Sequence, residues 1–165
     1  KDASMMQTVI MGLVNVIFTV VAIFTVDKWG RKPLLIVGST GMAIGMFSIA
    51  GLAFFEVIGI STLVFIIVYT ASFMMSWGPI TWVLIAEIFP NKIRGKAVAL
   101  AVAAQWTANY LVSSTYPGMM DFSSTMTYSV YGIMSILSLI FVWKFVPETK
   151  GRTLEDMEEI WAKKK

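Results

Sequence analysis

The side chains with the most useful chemistry in this sequence are neutral amides and indoles that lie within long apolar stretches. The amides are Asn15, Gln105 and Asn109, and the indoles are Trp82 and Trp106. An amide both donates and accepts hydrogen bonds, as a hydroxyl group does, and an indole combines an apolar ring face with one N–H donor. This combination suits a neutral ligand that is rich in hydroxyl groups. The same residues also fit a plainer role, in which the amides form interhelical hydrogen bonds and the indoles pack.

Residues that catalyse reactions or bind metals are missing from these stretches. The sequence has no cysteine and no histidine, which excludes disulfides and thiolate chemistry and removes the commonest general base and metal ligand. Its aspartates and glutamates stand at or beyond the ends of the apolar stretches. We therefore expect a protein that is not an enzyme, with no catalytic residue, no metal and no cofactor.

Five stretches that are nearly free of charge must position these side chains. The sequence is 57% hydrophobic and only 14% charged, whereas soluble domains carry roughly 25% charged residues. Each stretch has about the 20 residues that an α-helix needs to cross some 30 Å of hydrocarbon. None shows the polar stripe of a soluble amphipathic helix. We predict an all-α membrane protein with five transmembrane helices, at about 6–26, 34–55, 60–86, 97–119 and 128–146.

Two glycine patterns within the predicted spans carry structural predictions. Gly41 and Gly45 form a GxxxG pair, which lets helix backbones approach closely where lipid offers no hydrophobic drive for association. Gly78 followed by Pro79 should break the third helix, and the backbone groups so released need a cavity or a neighbouring helix to satisfy them. We interpret the first pattern as packing and the second as a local helix break.

The charged residues outside the spans predict the orientation. Lysines and arginines concentrate in two loops and in the C-terminal tail, whereas the alternate loops carry only Glu56 and Asp121. By the positive-inside rule, the basic loops and the C-terminus are cytoplasmic and the N-terminal end lies outside. We expect a multi-pass protein of the cell (inner) membrane, with the lipid bilayer as a partner and no nucleic acid.

The C-terminal residues 147–165 are predicted to form a cytoplasmic tail that contains a short amphipathic helix. Thr153 and Asp156 have the spacing of a capping box. The apolar residues that follow fall on one helical face, at Leu154, Met157, Ile160 and Trp161. A helix lying on lipid is the alternative, but the acidic residues of the tail disfavour it beside anionic headgroups.

Three short motifs lie at the predicted cytoplasmic ends of the spans. Residues 27–33, DKWGRKP, resemble the D-[RK]-x-G-R-[RK] loop of the major facilitator superfamily. Residues 87–94, EIFPNKIR, resemble the E-x6-R loop of its sugar porters, and residues 147–151, PETKG, resemble their exit motif. By this resemblance the chain is spans eight to twelve of a twelve-span sugar porter. The first residue, lysine rather than methionine, likewise favours a piece of a longer protein.

Within that family the sequence resembles the bacterial D-xylose:proton symporters, through Ser76–Trp82 and Ala103–Asn109. The resemblance implies a monosaccharide that is moved by alternating access together with a proton. Its proton-coupling aspartate would lie in the N-terminal half of the protein, outside this chain. The implied sugar site includes Asn15, Gly78, Trp82, Gln105 and Trp106. A sugar uniporter, a polyol carrier and a transporter-like sugar sensor stay open as alternatives.

Charged residues at the cytoplasmic loops form a candidate gating network, composed of Asp27, Arg31, Lys32, Glu87, Arg94 and Glu148. Solvated loop charge would explain the basic residues, and exposed ion pairs contribute only ~0–1 kcal/mol. That account does not explain the acids placed among them. We therefore expect a latch, in which Glu87 and Glu148 pair with arginines of neighbouring loops while the inner side is closed.

Overall fold

Helices make up the regular secondary structure of residues 2–57 and 59–152, which are the residues that the structure describes, with side chains from Met5 onward. The computed structural model places six helices in that part of the chain. They are α1 (Asp2–Trp29), α2 (Arg31–Phe54), α3 (Ile60–Met75), α4 (Trp77–Ile88), α5 (Arg94–Phe122) and α6 (Ser124–Phe145). The architecture is therefore all-α, as the sequence predicts.

Four stretches of helix are long and apolar enough to cross a membrane, within the residues described. They are Met5–Trp29, Arg31–Phe54, Ile60–Ile88 and Ser124–Phe145, and they coincide with the first, second, third and fifth predicted spans. The fourth predicted span lies in α5, whose 29 residues are about 43 Å long at 1.5 Å per residue. α5 is long enough to cross, but its amides and hydroxyls make it less apolar than the other four. Its role as a span stays a prediction.

The buried core lies where α2, α4 and α6 meet. It is centred on Leu34, Leu35, Ile80, Val142 and Val146. α2 contributes more buried residues than any other described helix, whereas α5 contributes none and, of the described α1 side chains, only Ala22 is buried. The outer faces of α1 and α5 are therefore left uncovered by the other described residues.

A glycine face of α2 packs directly on α3. A methyl group added at Gly38 would overlap the side chain of Ser76, and one added at Gly41 would overlap that of Ser72. At Gly45 an added methyl group would lie 3.0 Å from the nearest atom of α3. Because only glycine leaves room for this approach, the prediction that the GxxxG pair serves helix packing is confirmed.

The predicted break of the third span is present, but it lies at Ser76 rather than at the Gly78-Pro79 pair. α3 ends at Met75 and α4 begins at Trp77, and between them Ser76 has φ −128° and ψ −89°. A proline ring clashes with the carbonyl group four residues before it, which for Pro79 is that of Met75. Within the first turn of α4, in contrast, Pro79 is tolerated because the N–H groups there have no intrahelical acceptor. The proline therefore ends the preceding helix upstream of itself.

The chain leaves α6 at Val146 and continues without regular secondary structure through residues 147–152. This segment turns back toward the α1–α2 junction, where Lys150 Nζ donates a hydrogen bond to the carbonyl oxygen of Lys28. The amphipathic helix predicted around Thr153–Trp161 lies outside the described residues, and it stays a prediction.

Candidate functional site

Asn15 presents an unused hydrogen-bond acceptor at an open groove. It lies in α1, and its side-chain oxygen is buried without a hydrogen-bond partner among the described residues. The neighbouring Thr19 hydroxyl does not satisfy it, because that hydroxyl donates instead to the main-chain oxygen of Asn15 at 2.7 Å. The groove has a volume of about 380 Å³ and is also lined by Thr19 and by Met74 of α3. A ligand hydroxyl that reached this oxygen from the groove would supply the donor that Asn15 lacks.

Gly78 and Trp82 lie four residues apart in α4 and therefore face the same side of that helix. The Trp82 side chain is 45% exposed, so its ring is available to a ligand. At Gly78 an added methyl group would meet nothing closer than 3.5 Å. Packing against the described residues therefore does not demand glycine at position 78, which leaves close approach of a ligand as a reason for it.

The candidate residues of α5, which are Gln105, Trp106 and Asn109, are all exposed. Trp106 is 63% exposed, Gln105 is exposed, and the side-chain oxygen of Asn109 accepts only a long 3.4 Å hydrogen bond from Ser113 of the same helix. The five candidate binding residues thus occupy α1, α4 and α5, and no hydrogen bond within the described residues joins any two of them. Among the described residues, these amides do not form the interhelical hydrogen bonds of the plainer interpretation.

Arg31 is the centre of the cytoplasmic network. Its Nη2 lies 2.9 Å from Glu87 Oε1, and its Nη1 lies 3.2 Å from Asp27 Oδ1 one turn earlier in the chain. The Arg31 side chain is only 13% exposed and that of Glu87 is 32% exposed. The Arg31–Glu87 pair is therefore partly shielded from water and links the first residue of α2 to the last turn of α4.

Glu148 differs from the expectation, because it pairs with main-chain N–H groups instead of with an arginine side chain. Its two oxygens accept hydrogen bonds from the N–H groups of Arg31 and Lys32, each at 3.0 Å. These are the first two residues of α2, whose N–H groups have no acceptor within the helix and carry partial positive charge. A carboxylate at this position satisfies both donors. Gly30 allows the approach, since it has φ +94° and an added methyl group would lie 2.6 Å from Glu148 Oε2.

Arg94 also differs from the expectation, because no acid within the described residues pairs with it. Its Nε donates a 3.4 Å hydrogen bond to the carbonyl oxygen of Phe89, and its Nη2 is buried without a partner among the described residues. Both oxygens of Glu87 are already engaged, one by Arg31 and the other by Thr149. Lys32 likewise pairs with a main-chain oxygen, that of Trp143, at 2.9 Å.

Thr149 is a member of the network that sequence reasoning missed. Its hydroxyl donates to Glu87 Oε2 at 2.7 Å, and the residue is only 5% exposed. The signal available in the sequence was its place inside the PETKG motif beside Glu148. Through Thr149 and Glu148, the segment that follows α6 contacts both α4 and α2.

Comparison with known proteins assigns the family. A family model described as "Sugar (and other) transporter" matches residues 1–161. The chain belongs to the sugar transporter family. This confirms at the family level the prediction of a transporter rather than an enzyme, and the relatives are integral membrane proteins with several apolar helices.

The relatives include sugar carriers from several bacteria. The D-xylose-proton symporter of Escherichia coli is 55% identical over 97% of this chain, which covers 34% of that protein. The glucose facilitated diffusion protein of Zymomonas mobilis is 44% identical over 99% of the chain, covering 36% of that protein. The arabinose-proton symporter of Bacillus subtilis is 41% identical over 99% of the chain, covering 36% of that protein. The chain thus spans about a third of the length of the relatives it matches.

Solved structures give the same fold. The inward-open xylose transporter from E. coli matches with a TM-score of 0.89 and 56% identity, over 98% of this chain and 36% of that one. A major facilitator proton:xylose symporter bound to 6-bromo-6-deoxy-D-glucose matches with a TM-score of 0.91 and 54% identity, over 97% of this chain and 35% of that one. The predicted fold class, a major facilitator domain, is confirmed.

Proposed function

We propose that this chain is the C-terminal part of a transporter that moves a monosaccharide, xylose or a similar sugar, across the inner membrane by alternating access. The observation that carries the proposal is the similarity to the D-xylose-proton symporter, which extends over nearly the whole chain. If the basic loops lie inside, as the positive-inside rule predicts, the network around Arg31 and the C-terminus face the cytoplasm. The rest of the transporter, including a proton-coupling residue, lies outside this chain.

The sugar site of the proposal uses the uncovered faces of α1, α4 and α5, at Asn15, Gly78, Trp82, Gln105 and Trp106. Asn15 offers a free acceptor, Gln105 offers an exposed amide, and the indoles of Trp82 and Trp106 offer apolar ring faces to the C–H side of a pyranose. Such a site lies between the two halves of a transporter near the bilayer midplane. No bond of the sugar is broken, so these side chains only bind and release it.

The cytoplasmic network is proposed to act as a latch on α4, the helix that carries Trp82. Glu87 stands next to the end of α4 and is held by Arg31 of α2 and by Thr149 after α6. Opening the inner side would separate Glu87 from Arg31 and free that end of α4. A difference of only about 1.4 kcal/mol between the states changes their ratio tenfold, which lies within reach of a partly shielded ion pair.

Proton coupling is proposed to lie outside this chain, because the acids of the described residues stand at or near the ends of helices. Asp27 and Glu87 lie in last turns, Asp121 is followed only by the final residue of α5, and Glu56 and Glu148 lie outside the helices. A coupling carboxylate needs an environment that changes its solvation between the two access states. Helix ends at the membrane surface change less in this respect than the middle of a span.

Counterflow in liposomes tests the proposed function. The full-length protein that contains this chain is reconstituted into vesicles loaded with unlabelled xylose, and entry of labelled xylose is followed over time. A transporter, whether symporter or uniporter, accumulates label transiently. A sugar sensor that does not transport would accumulate none, and that result would contradict the proposal. A panel of pentoses, hexoses and polyols as competitors then identifies the preferred substrate.

A further inference from the structure

The direction of α4 depends on few contacts within this chain. The helix has 12 residues, of which only Ile80 is buried. The break at Ser76 interrupts the hydrogen-bonding ladder that would otherwise transmit the direction of α3. Side-chain contacts close to the break must therefore determine the direction of the α4 axis. That direction in turn determines the position of the Trp82 ring.

A partly buried hydrogen bond is formed by the first residue of α4. The indole N–H of Trp77 donates to the hydroxyl oxygen of Ser39 in α2 at 2.7 Å, and Ser39 is 0% exposed. The Trp77 ring also packs against the core cluster around Leu34. Because an unpaired N–H is costly in an apolar interior, this bond holds the indole in one orientation. Trp77 is thereby fixed at the point where α4 departs from the break.

The break itself is held against the same part of α2. Gly38 precedes Ser39 and contacts the side chain of Ser76 so closely that an added methyl group would overlap it. Ser76 is 0% exposed, and its hydroxyl donates to the main-chain oxygen of Ser72 at 2.6 Å. The end of α3 and the beginning of α4 are thus both fixed to a single place on α2.

The two ends of α4 are attached to α2 by contacts of different kinds. Trp77 is held by a neutral hydrogen bond whose acceptor, Ser39, is 0% exposed, whereas Glu87, about 15 Å further along the helix, is held by an ion pair with Arg31 that is partly exposed. Water can replace the partners of the ion pair when it separates. Ser39 has no access to water, so its bond to Trp77 stays formed when the other end of α4 is released.

We propose that Ser39 and Trp77 form the pivot about which α4 turns, and that they are positioning residues for the sugar contact Trp82. Trp82 lies little more than one turn beyond Trp77, so a change of direction at the pivot moves its ring relative to a bound sugar. The inference rests on the proposed function, because it takes Trp82 as a sugar contact.

Two substitutions in the full-length protein test the pivot. Trp77→Phe removes the indole N–H but keeps an aromatic ring, and Ser39→Ala removes the acceptor. Each should weaken xylose binding, measured by isothermal titration calorimetry, by about three- to tenfold, which corresponds to one hydrogen bond. Because both remove the same bond, the double variant should be no weaker than the poorer single variant. Trp143→Phe, on an exposed position of α6, and Ser138→Ala, on a partly exposed one, are the matched controls and should bind as the wild type does.

A distance measurement provides a readout that needs no sugar. Spin labels at Ala86 of α4 and Ile133 of α6, both exposed, report the direction of α4 by double electron–electron resonance. The distance distribution should broaden in Trp77→Phe and in Ser39→Ala, and stay unchanged in both controls. Trp77→Phe alone suffices if Ser39→Ala does not fold.

The outcomes separate the pivot from the proposed function. Wild-type sugar affinity and an unchanged distance distribution in the variants, even with a lowered melting temperature, would overturn the pivot and leave only a packing role. Additive losses of affinity in the double variant would also overturn it. If the wild type neither binds nor exchanges any sugar, the proposed function fails, while the distance distributions still support or overturn the pivot.

Discussion

At the residue scale, the carboxylate of Glu87 connects three parts of the fold. One oxygen pairs with Arg31 and the other accepts from Thr149, so this side chain connects α4, α2 and the segment after α6. Its neighbour in space, Glu148, satisfies two N–H groups at the beginning of α2. Neither set of partners can be deduced from spacing, because the partners lie 56 and 62 residues from Glu87 and 117 and 116 residues from Glu148.

The proposed sugar contacts lead to the first prediction. Gln105→Ala and Trp82→Ala should each weaken sugar binding by roughly tenfold, because a sugar hydroxyl or ring face loses its partner and a buried unpaired group costs about 1–3 kcal/mol. Binding is measured by calorimetry on the folded full-length protein. The matched control is Trp143→Ala, which removes an exposed indole from α6. Wild-type affinity in both test variants would refute these assignments.

Gly30 leads to a prediction on stability. Its φ of +94° is unfavourable for any residue with a Cβ atom, and an added methyl group would lie 2.6 Å from Glu148 Oε2. Gly30→Ala should therefore lower the free energy of unfolding by at least about 1–2 kcal/mol, seen as a lower melting temperature in detergent. Gly51→Ala, where an added methyl group meets nothing within 4 Å, should not lower it. Equal melting temperatures of the two variants would contradict the capping role of Glu148.

At the scale of helices, hydropathy alone located the four helical stretches that are long and apolar enough to cross a membrane, because lipid demands long apolar stretches. The helix ends were less predictable: α1 continues to Trp29 and α6 begins at Ser124, since polar residues extend a helix beyond the hydrocarbon at no cost. The break before Gly78 was foreseen from proline, but its exact residue depended on the carbonyl group that Pro79 excludes. The Trp77–Ser39 bond was not foreseeable, because it depends on the packing of α2 against α4.

The latch leads to a prediction at this scale. Glu87→Gln and Arg31→Ala should each shift the full-length protein toward its inward-open state, because the contact that holds the end of α4 is weakened. A single cysteine placed at the inner mouth should then react faster with a membrane-impermeant maleimide, and net transport should slow. Lys96→Ala, an exposed cation of α5, is the control and should label at the wild-type rate. Unchanged labelling in both test variants, with normal transport, would contradict the latch. These residues would then only help to set the orientation of the chain in the membrane.

At the scale of the whole molecule, the described residues leave two helices, α1 and α5, largely exposed. α2 and α6 are packed on each other and hold the core, whereas α1 and α5 leave most of their side chains exposed. The proposed sugar site uses both exposed helices, and in this proposal the rest of the transporter completes it. The sequence could therefore nominate Asn15 and Gln105 as sugar contacts, but it could not predict the shape of the proposed pocket or the choice of sugar.

Proton coupling is the prediction that belongs to the whole transporter. Glu56→Gln and Asp121→Asn, at helix ends on the outer side of the proposed orientation, should leave sugar-driven proton uptake within about twofold of the wild type, because these acids are already in water. Uptake is followed by the alkalinisation outside proteoliposomes when sugar is added. If either variant loses proton uptake while counterflow persists, the coupling group would lie within this chain.

The most direct test of the account is the position of the bound sugar in the full-length protein. A structure determined with xylose should place sugar hydroxyls within about 3.2 Å of the side-chain oxygen of Asn15 and the amide of Gln105, with the ring of Trp82 against the pyranose. A sugar bound between other helices, without contact to α1, α4 or α5, would contradict it.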